Sequence, residues 1–268
     1  MAIAEQRSCD DGPLVLRTDS GPVATLTLNR AQRFNPLCEA MLDALEAAIE
    51  QAGRDPGVRA IVLAAHGRAF CAGHDLREMR AQPSQDYYRT LFARCTQVML
   101  GIVRCPKPVI ARVQGLATAA GCQLVATCDL AVAADTARFA VSGVTLGLFC
   151  CTPGVALSRN VPRKQAFEML VTGEFIDAPT ALRHGLVNRV VPSARLDAEI
   201  ASLTDAIARH PPIAMQTGKR VFYRQLEDSL EDAYRFAGDA MACNMMEEDT
   251  LEGVQAFLDK RPPHWPTY

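Results

Sequence analysis

Two small-residue stretches that follow apolar runs carry the clearest chemical signal in the chain. The first is Phe70-Cys-Ala-Gly-His-Asp75, downstream of Val58–Ala65. The second is Gly115-Leu-Ala-Thr-Ala-Ala-Gly-Cys-Gln123, downstream of Val109–Val113. Small side chains let a ligand approach the main chain, and amides leading into a helix favour partial negative charge. Two such amides converging on one oxygen form an oxyanion hole. On spacing alone the same turns also read as packing features, and these residues leave both readings open.

Other reactive side chains give weaker patterns. His66, His184, His210 and His264 are isolated, without metal-ligand spacing, and no metal is expected. The ten cysteines form no CxxC pair, and Cys150 and Cys151 are adjacent. Several, such as Cys95, Cys122 and Cys128, sit in apolar runs and read as small buried thiols rather than disulfides or metal ligands.

The elements that must position these loops are legible from periodicity. Val23–Leu28 alternates as a strand. Asn35-Pro36 reads as the cap and first residue of a helix that runs to Ala52, with apolar spacing at Met41, Leu42, Leu45 and Ile49. Val58–Ala65 is a strand, Gly67–Asp75 a loop, and Gln85–Arg104 a long helix. Val109–Val113 leads into a stretch that turns helical near Ala119, and Asp129–Ala134 and Arg138–Val141 are strands. Pro162–Thr172 and Pro179–His184 read as helices and Val187–Val191 as the last strand. Four helices close the chain: Leu196–Arg209, Ile213–Tyr223, Leu230–Met246 and Thr250–Lys260, the last opened by a capping box of Asp249 with Glu252. The chain is thus an α/β body followed by a helical tail.

The bulk numbers fit an ordinary globular domain. The chain has 268 residues, 49% apolar and 22% charged. A net charge of −2 supplies no basic field for nucleic acid or anionic membrane. No stretch approaches the about 18 apolar residues of a membrane span. The opening MAIAEQRSCDDGP has no apolar run and carries early acids, so no signal or transit peptide is expected, and a reducing cytoplasmic setting fits the cysteine usage.

The two loops resemble the signatures of the enoyl-CoA hydratase/isomerase (crotonase) family. Ala72-Gly-His-Asp-Leu76 resembles that family's Ala-Gly-x-Asp-Leu element, and Gly115–Gln123 its Gly-x-Ala-x-Gly-Gly-Gly-Cys-Glu element. Cys128-Asp129, Leu146-Gly147, Thr172-Gly173 and the ending Glu252–Arg261 continue the likeness, which runs from about residue 12 to 261. Within the family, the GLATAAGCQLVA string and the FCxTPGVAL run are shared with the subgroup called enoyl-CoA hydratase domain-containing protein 3.

The resemblance implies a crotonase-like spiral of ββα turns over residues 12–200, holding an acyl-CoA site. It implies a helical region over 201–268 that assembles trimers, often paired as hexamers. No resident cofactor is implied; the coenzyme A thioester enters as substrate. The oxyanion amides fall on His74 and Ala120. The CoA end falls on Ala72, Asp75 and Arg77, with Phe257 and Lys260 reaching the CoA of a neighbouring subunit.

The chain departs from the family where the chemistry is done. Hydratases of this family use two glutamates, and these positions are Gln123 and Gly143 here. Glutamine orients water but does not exchange a proton usefully near neutrality, and glycine offers nothing. Most residues nearest these gaps leave two readings each. His74 is either an imidazole beside the hole or an outward side chain whose amide alone matters. Cys150 and Cys151 are either a nucleophilic thiol or apolar lining, and the hydroxyls of Ser142 and Thr145 either flank the vacant position or are structural. Asp75 and Glu78 read as capping or solvating the helix start. Restoring both glutamates is expected to raise hydration of a short enoyl-CoA. The competing readings are a hydratase or isomerase of fatty acyl-CoA metabolism, a hydrolase or decarboxylase, and a non-catalytic acyl-CoA binder.

Overall fold

The computed structural model describes residues 12–265, so the opening stretch read for a leader lies, through residue 11, outside it. The chain begins with an antiparallel hairpin, β1 (Val15–Ser20) and β2 (Val23–Leu28). Helix α1 (Glu39–Arg54) then leads to β3 (Ala60–Ala65), which pairs parallel to β2. All six residues of β3 are buried, as expected for an interior strand covered on both faces.

From β3 onward the chain repeats one plan. A strand in a large sheet hands over to a short strand in a second sheet, and a helix follows. The first turn is β3, β4 (Ala69–Cys71), then α2 (Leu76–Ala81) and α3 (Gln85–Arg104). The second is β5 (Val109–Val113), β6 (Leu116–Thr118) and α4 (Ala120–Thr127). The third is β7 (Leu130–Ala134), β8 (Arg138–Ala140), a 3-10 turn over Ser142–Leu146, then α5 (Cys151–Asn160) and α6 (Arg163–Thr172). Strand β9 (Ile176–Asp177), α7 (Ala178–Arg183) and β10 (Arg189–Val191) complete the body. The large sheet has the order β1-β2-β3-β5-β7-β10, and the small one β4-β6-β8-β9. This is the expected ββα spiral.

The main core fills the space between the sheets and α1, α3 and α4. Met41, Leu42, Leu45 and Ile49 of α1 are all buried, as their helical spacing predicts. Helix α4 is buried along its whole length. On the opposite face of the large sheet, Val62, Ile110 and Val132 pack against Leu196 and Ile200 of α8 (Leu196–Ala208).

Helices α9 (Pro212–Gln225), α10 (Leu230–Asn244) and α11 (Glu248–Leu258) follow. One buried ionic knot ties α9 to the body. Lys219 Nζ donates to Asp129 Oδ2 at 2.6 Å, and to the carbonyls of Ile102 at 2.8 Å and Lys107 at 3.0 Å. The Tyr223 hydroxyl donates to Asp129 Oδ1 at 2.8 Å.

Two helix starts differ from the sequence reading. Helix α1 begins at Glu39, not at Pro36. Asn35 is fully buried instead, and its side-chain amide donates to the carbonyls of His66 and Ala69, both at 2.9 Å. Leu37 N donates to Gly73 O at 2.8 Å, so residues that look like a helix start are used to hold the first loop. The Asp249–Glu252 capping box does not form either. Glu247 occupies the cap position, Asp249 is buried, and Glu252 pairs with Arg261 at 2.7 Å. Its carboxylate instead accepts from Arg261 Nη1 and Nη2 in a bidentate, charge-assisted pair.

Candidate functional site

The first loop leaves β4 and turns at Gly73, whose φ of 92° lies where glycine alone is unstrained. Ala72 N donates to Phe34 O at 3.0 Å, so both arms of the turn are fastened to the Phe34–Leu37 segment. Asp75 is buried and caps α2, accepting from Arg77 N at 3.0 Å and Glu78 N at 3.4 Å. Its other oxygen pairs with Arg33 at 2.5 Å. The expected capping role of Asp75 therefore holds, while Glu78 reaches across to accept from Glu39 N at 3.1 Å.

The second loop leaves β6 and turns at Ala119, which holds φ 50° and ψ −121°. This is a conformation that glycine adopts freely and alanine does not. Ala119 N is spoken for by Ala140 O at 2.9 Å. The next amide, Ala120 N, opens α4 with the positive end of the helix dipole behind it.

The two loops touch. A Cβ placed on Gly73 would stand 3.2 Å from Ala120 N and 3.1 Å from Thr118 O. A Cβ on Gly121 would stand 2.1 Å from Cys71 O, so the start of α4 lies directly against β4. The turn at Gly73 and the backbone opening α4 are thus brought together. Among the described residues, neither the His74 N–H nor the Ala120 N–H finds a protein acceptor.

The His74 side chain does not point outward. Its Nδ1 lies 3.1 Å from Leu37 O, and its ring meets Phe92 of α3 edge-on with centroids 5.4 Å apart. Nε2 is buried and has no partner. Burial lowers the imidazole pKa from its ordinary value, against a smaller opposing effect of the Leu37 carbonyl. Periodicity carries no sign of this inward turn, because the ring is held by a carbonyl 37 residues upstream.

Gln123 lies buried on α4, and its Oε1 has no hydrogen-bond partner. Gly143 is also buried, inside the 3-10 turn. A Cβ there would stand 2.3 Å from Leu148 O and 2.7 Å from Cys150 Sγ. The expectation that a glutamate can be restored at 143 therefore fails on space: backbone and thiol already occupy the volume. Cys150 is buried and opens α5, and burial raises its thiol pKa, so the group is a neutral thiol. Cys151 is exposed. Ser142 and Thr145 are used locally, with Ser142 Oγ 3.0 Å from Thr118 Oγ1 and Thr145 Oγ1 donating to Ser142 O at 2.7 Å.

Arg77 is exposed on α2, near the first loop in sequence and space. Phe257 and Lys260 are exposed at the end of α11, and no hydrogen bond or ion pair joins either to the two loops within one chain. Among the described residues, no group of three His, Cys, Asp or Glu side chains is placed to hold a metal ion.

Comparison with known proteins agrees with this architecture. The model of the enoyl-CoA hydratase/isomerase family matches residues 18–267. The human mitochondrial enoyl-CoA hydratase domain-containing protein 3 is 44% identical over 262 residues, covering 98% of this chain and 86% of that one. Its crystal structure superposes with a TM-score of 0.91, covering 94% of this chain and 100% of that one. The crystal structure of an enoyl-CoA hydratase from Mycobacterium smegmatis is 63% identical, with a TM-score of 0.94 over 96% of this chain and 100% of that one. The spiral, the paired loops and these likenesses together show that the chain belongs to the enoyl-CoA hydratase/isomerase family and carries the crotonase fold.

Proposed function

We propose that this protein binds an acyl-CoA thioester, with the thioester carbonyl received by the His74 and Ala120 amides. The observation that carries this reading is the meeting of the two loops, with a Gly73 Cβ position only 3.2 Å from Ala120 N and both neighbouring amides free of protein acceptors. Ala120 is buried, and a buried amide without an acceptor is costly unless a ligand satisfies it. A carbonyl that gains negative charge during reaction benefits most from such donors. Arg77 on one subunit and Lys260, beside Phe257, from another supply cation and ring for the CoA end, with Ala72 and Asp75 shaping its entry.

The reaction is not two-carboxylate hydration. Gln123 cannot exchange a proton usefully, and Gly143 has no room for a side chain. Each general acid or base contributes about 10²–10⁴ in rate, so hydration without either is slow. The fatty acyl-CoA hydratase assignment thus gives way, in our reading, to single-base chemistry at the thioester, with pure acyl-CoA binding as the second reading.

We propose further that residues 201–268 assemble trimers. Leu251, Val254, Phe257 and Leu258 of α11 are 52%, 43%, 82% and 66% exposed, and Leu230, Tyr234 and Met241 of α10 are more than two-thirds exposed. An apolar surface of that extent is typical of an interface. The nine described cysteines are all free, which favours a reducing compartment, and we propose the cytoplasm. The vertebrate relatives are named mitochondrial, so fractionation of the native host cell decides the point.

Calorimetry tests the central claim. A short acyl-CoA is expected to bind about tenfold or more tightly than free CoA. Equal affinities would remove the amide pair from the site. In the same samples, crotonyl-CoA is expected to lose its conjugated absorbance slowly, and light scattering to report a trimer or a multiple of it.

A further inference from the structure

We propose that the His74 imidazole is the base of this site, taking a proton through Nε2 from the carbon beside the bound thioester carbonyl. The inference rests on the thioester reading above and goes beyond it by naming the group that moves the proton.

Three observations converge on this ring. The first is its tautomer. Nδ1 lies 3.1 Å from Leu37 O, and a carbonyl oxygen only accepts, so Nδ1 carries the hydrogen. In the neutral ring Nε2 then presents a bare lone pair. The Leu37 carbonyl is itself held in place, since Leu37 N donates to Gly73 O at 2.8 Å in the same short bridge. The arrangement orients the ring as a second partner orients a catalytic histidine.

The second observation is that Nε2 is buried without any hydrogen-bond partner. Leaving a buried acceptor unpaired is costly, and such a group calls for an explanation, a catalytic role among them. The Phe92 ring of α3 packs edge-on against the imidazole, with centroids 5.4 Å apart. To reach Nε2 the acyl group must displace the packing over it, including the Phe92 ring.

The third observation is position. The imidazole hangs from the residue whose own N–H is one of the two free amides, so base and oxyanion donor share one backbone anchor. The other candidates fail. Gln123 has no useful proton, Gly143 has no side chain, and Cys150 is a buried neutral thiol packed against Gly143. Asp75 is committed to Arg33 and the α2 cap.

The step balances without any co-reactant. A C–H bond breaks and an Nε2–H bond forms, giving an imidazolium. The electron pair moves onto the thioester oxygen as an enolate held by the His74 and Ala120 amides. Return of a proton to the same carbon gives exchange with solvent. Return to the far carbon of a β,γ-unsaturated acyl thioester gives its conjugated isomer. The substrate class is therefore an acyl or β,γ-enoyl thioester, and water is not consumed.

The test is proton exchange. Butyryl-CoA is incubated with the native protein in deuterium oxide, and loss of the signal of the protons beside the carbonyl is followed by NMR, with binding measured separately by calorimetry. Native protein is expected to exchange these protons well above the buffer rate. His74→Gln keeps an N–H for Leu37 O and is expected to lower exchange about 10²-fold or more while binding changes only a few-fold. His74→Ala is expected to regain exchange on adding free imidazole, which a merely structural loss would not. Native protein that binds butyryl-CoA without exchanging it overturns the proposal and leaves the thioester reading standing. Undiminished exchange in His74→Gln, or no imidazole rescue of a folded His74→Ala, overturns it equally. Failure of native protein to bind butyryl-CoA removes the thioester reading and the base together.

Discussion

Cys150 Sγ lies 2.7 Å from the point where a Cβ on Gly143 would sit, so the thiol of one residue occupies the side-chain space of the other. The two positions act as a packed pair at the start of α5. What looks in sequence like a deleted acid is in space a filled volume.

Gly143→Ala is therefore expected to destabilise the protein by about 1–3 kcal/mol through overpacking, and Gly143→Glu by more. Adding Cys150→Ala should not rescue either variant, because Leu148 O would still stand 2.3 Å from the new Cβ. Urea midpoints of the four variants, at unchanged slope, check this. Rescue to native stability would show the thiol alone to be the obstacle.

Ala119 holds φ 50° at the turn into α4, where the family's element carries glycine. Ala119→Gly is expected to relieve strain and raise stability by about 1 kcal/mol, after allowance for glycine's larger unfolded-state entropy. For a chain of this size that is a rise of about 2–4 °C in the melting temperature. A lower melting temperature would mean that the Ala119 methyl contributes packing worth more than the strain.

The Lys219–Asp129–Tyr223 knot is nearly dry, with Lys219 and Asp129 side chains only 7% and 13% exposed. Lys219→Met leaves the mostly buried Asp129 without a countercharge, though still hydrogen-bonded to Tyr223 and Val109 N, and is expected to cost about 3–5 kcal/mol. Tyr223→Phe removes one donor to Asp129 and is expected to cost about 1–3 kcal/mol. Chemical denaturation of both variants should rank them in that order. Hydrogen exchange in α9 should rise most in Lys219→Met.

Buried thiols set an alkaline limit. Burial pushes Cys71, Cys95 and Cys122 up to about 12 from an ordinary value of 9.0. Between those values the folded state binds more protons than the unfolded one. Stability is therefore nearly constant below about pH 9 and falls as pH rises toward 12, by at most about 1.4 kcal/mol per pH unit for each thiol. Urea midpoints at pH 8, 9 and 10 should decline slightly over the first interval and about three times as much over the last. In native protein at pH 8, a thiol reagent should label Cys151 and Cys243 rapidly, these being the exposed cysteines among the described residues.

The long elements were legible because their periods repeat. Gln85–Arg104 and Val109–Val113 lie where the apolar spacing places them, and Val23–Leu28 alternates over its full observed length. The short strands β4 and β6 leave no strand signal in the sequence, since three residues are too few to show a period. Helix α5 was missed because its first turn, Cys151-Thr-Pro-Gly, carries turn-forming residues.

While the spiral was implied only by the family resemblance, the sequence by itself determined the alternation of long strands and helices, the two small-residue loops, and the absence of glutamate at positions 123 and 143. Residue types and local spacing suffice for these. The tertiary structure decided what no local pattern encodes. Asn35 and Leu37 serve the first loop rather than a helix start, because their partners lie about 30–40 residues away in the chain. His74 turns inward because Leu37 O faces its Nδ1. Gly143 is closed to any larger residue because the chain returns on itself through Leu148 and Cys150. In each case the deciding force is a non-local contact in a packed interior, where backbone groups must be paired and a few tenths of an ångström settle which side chain fits.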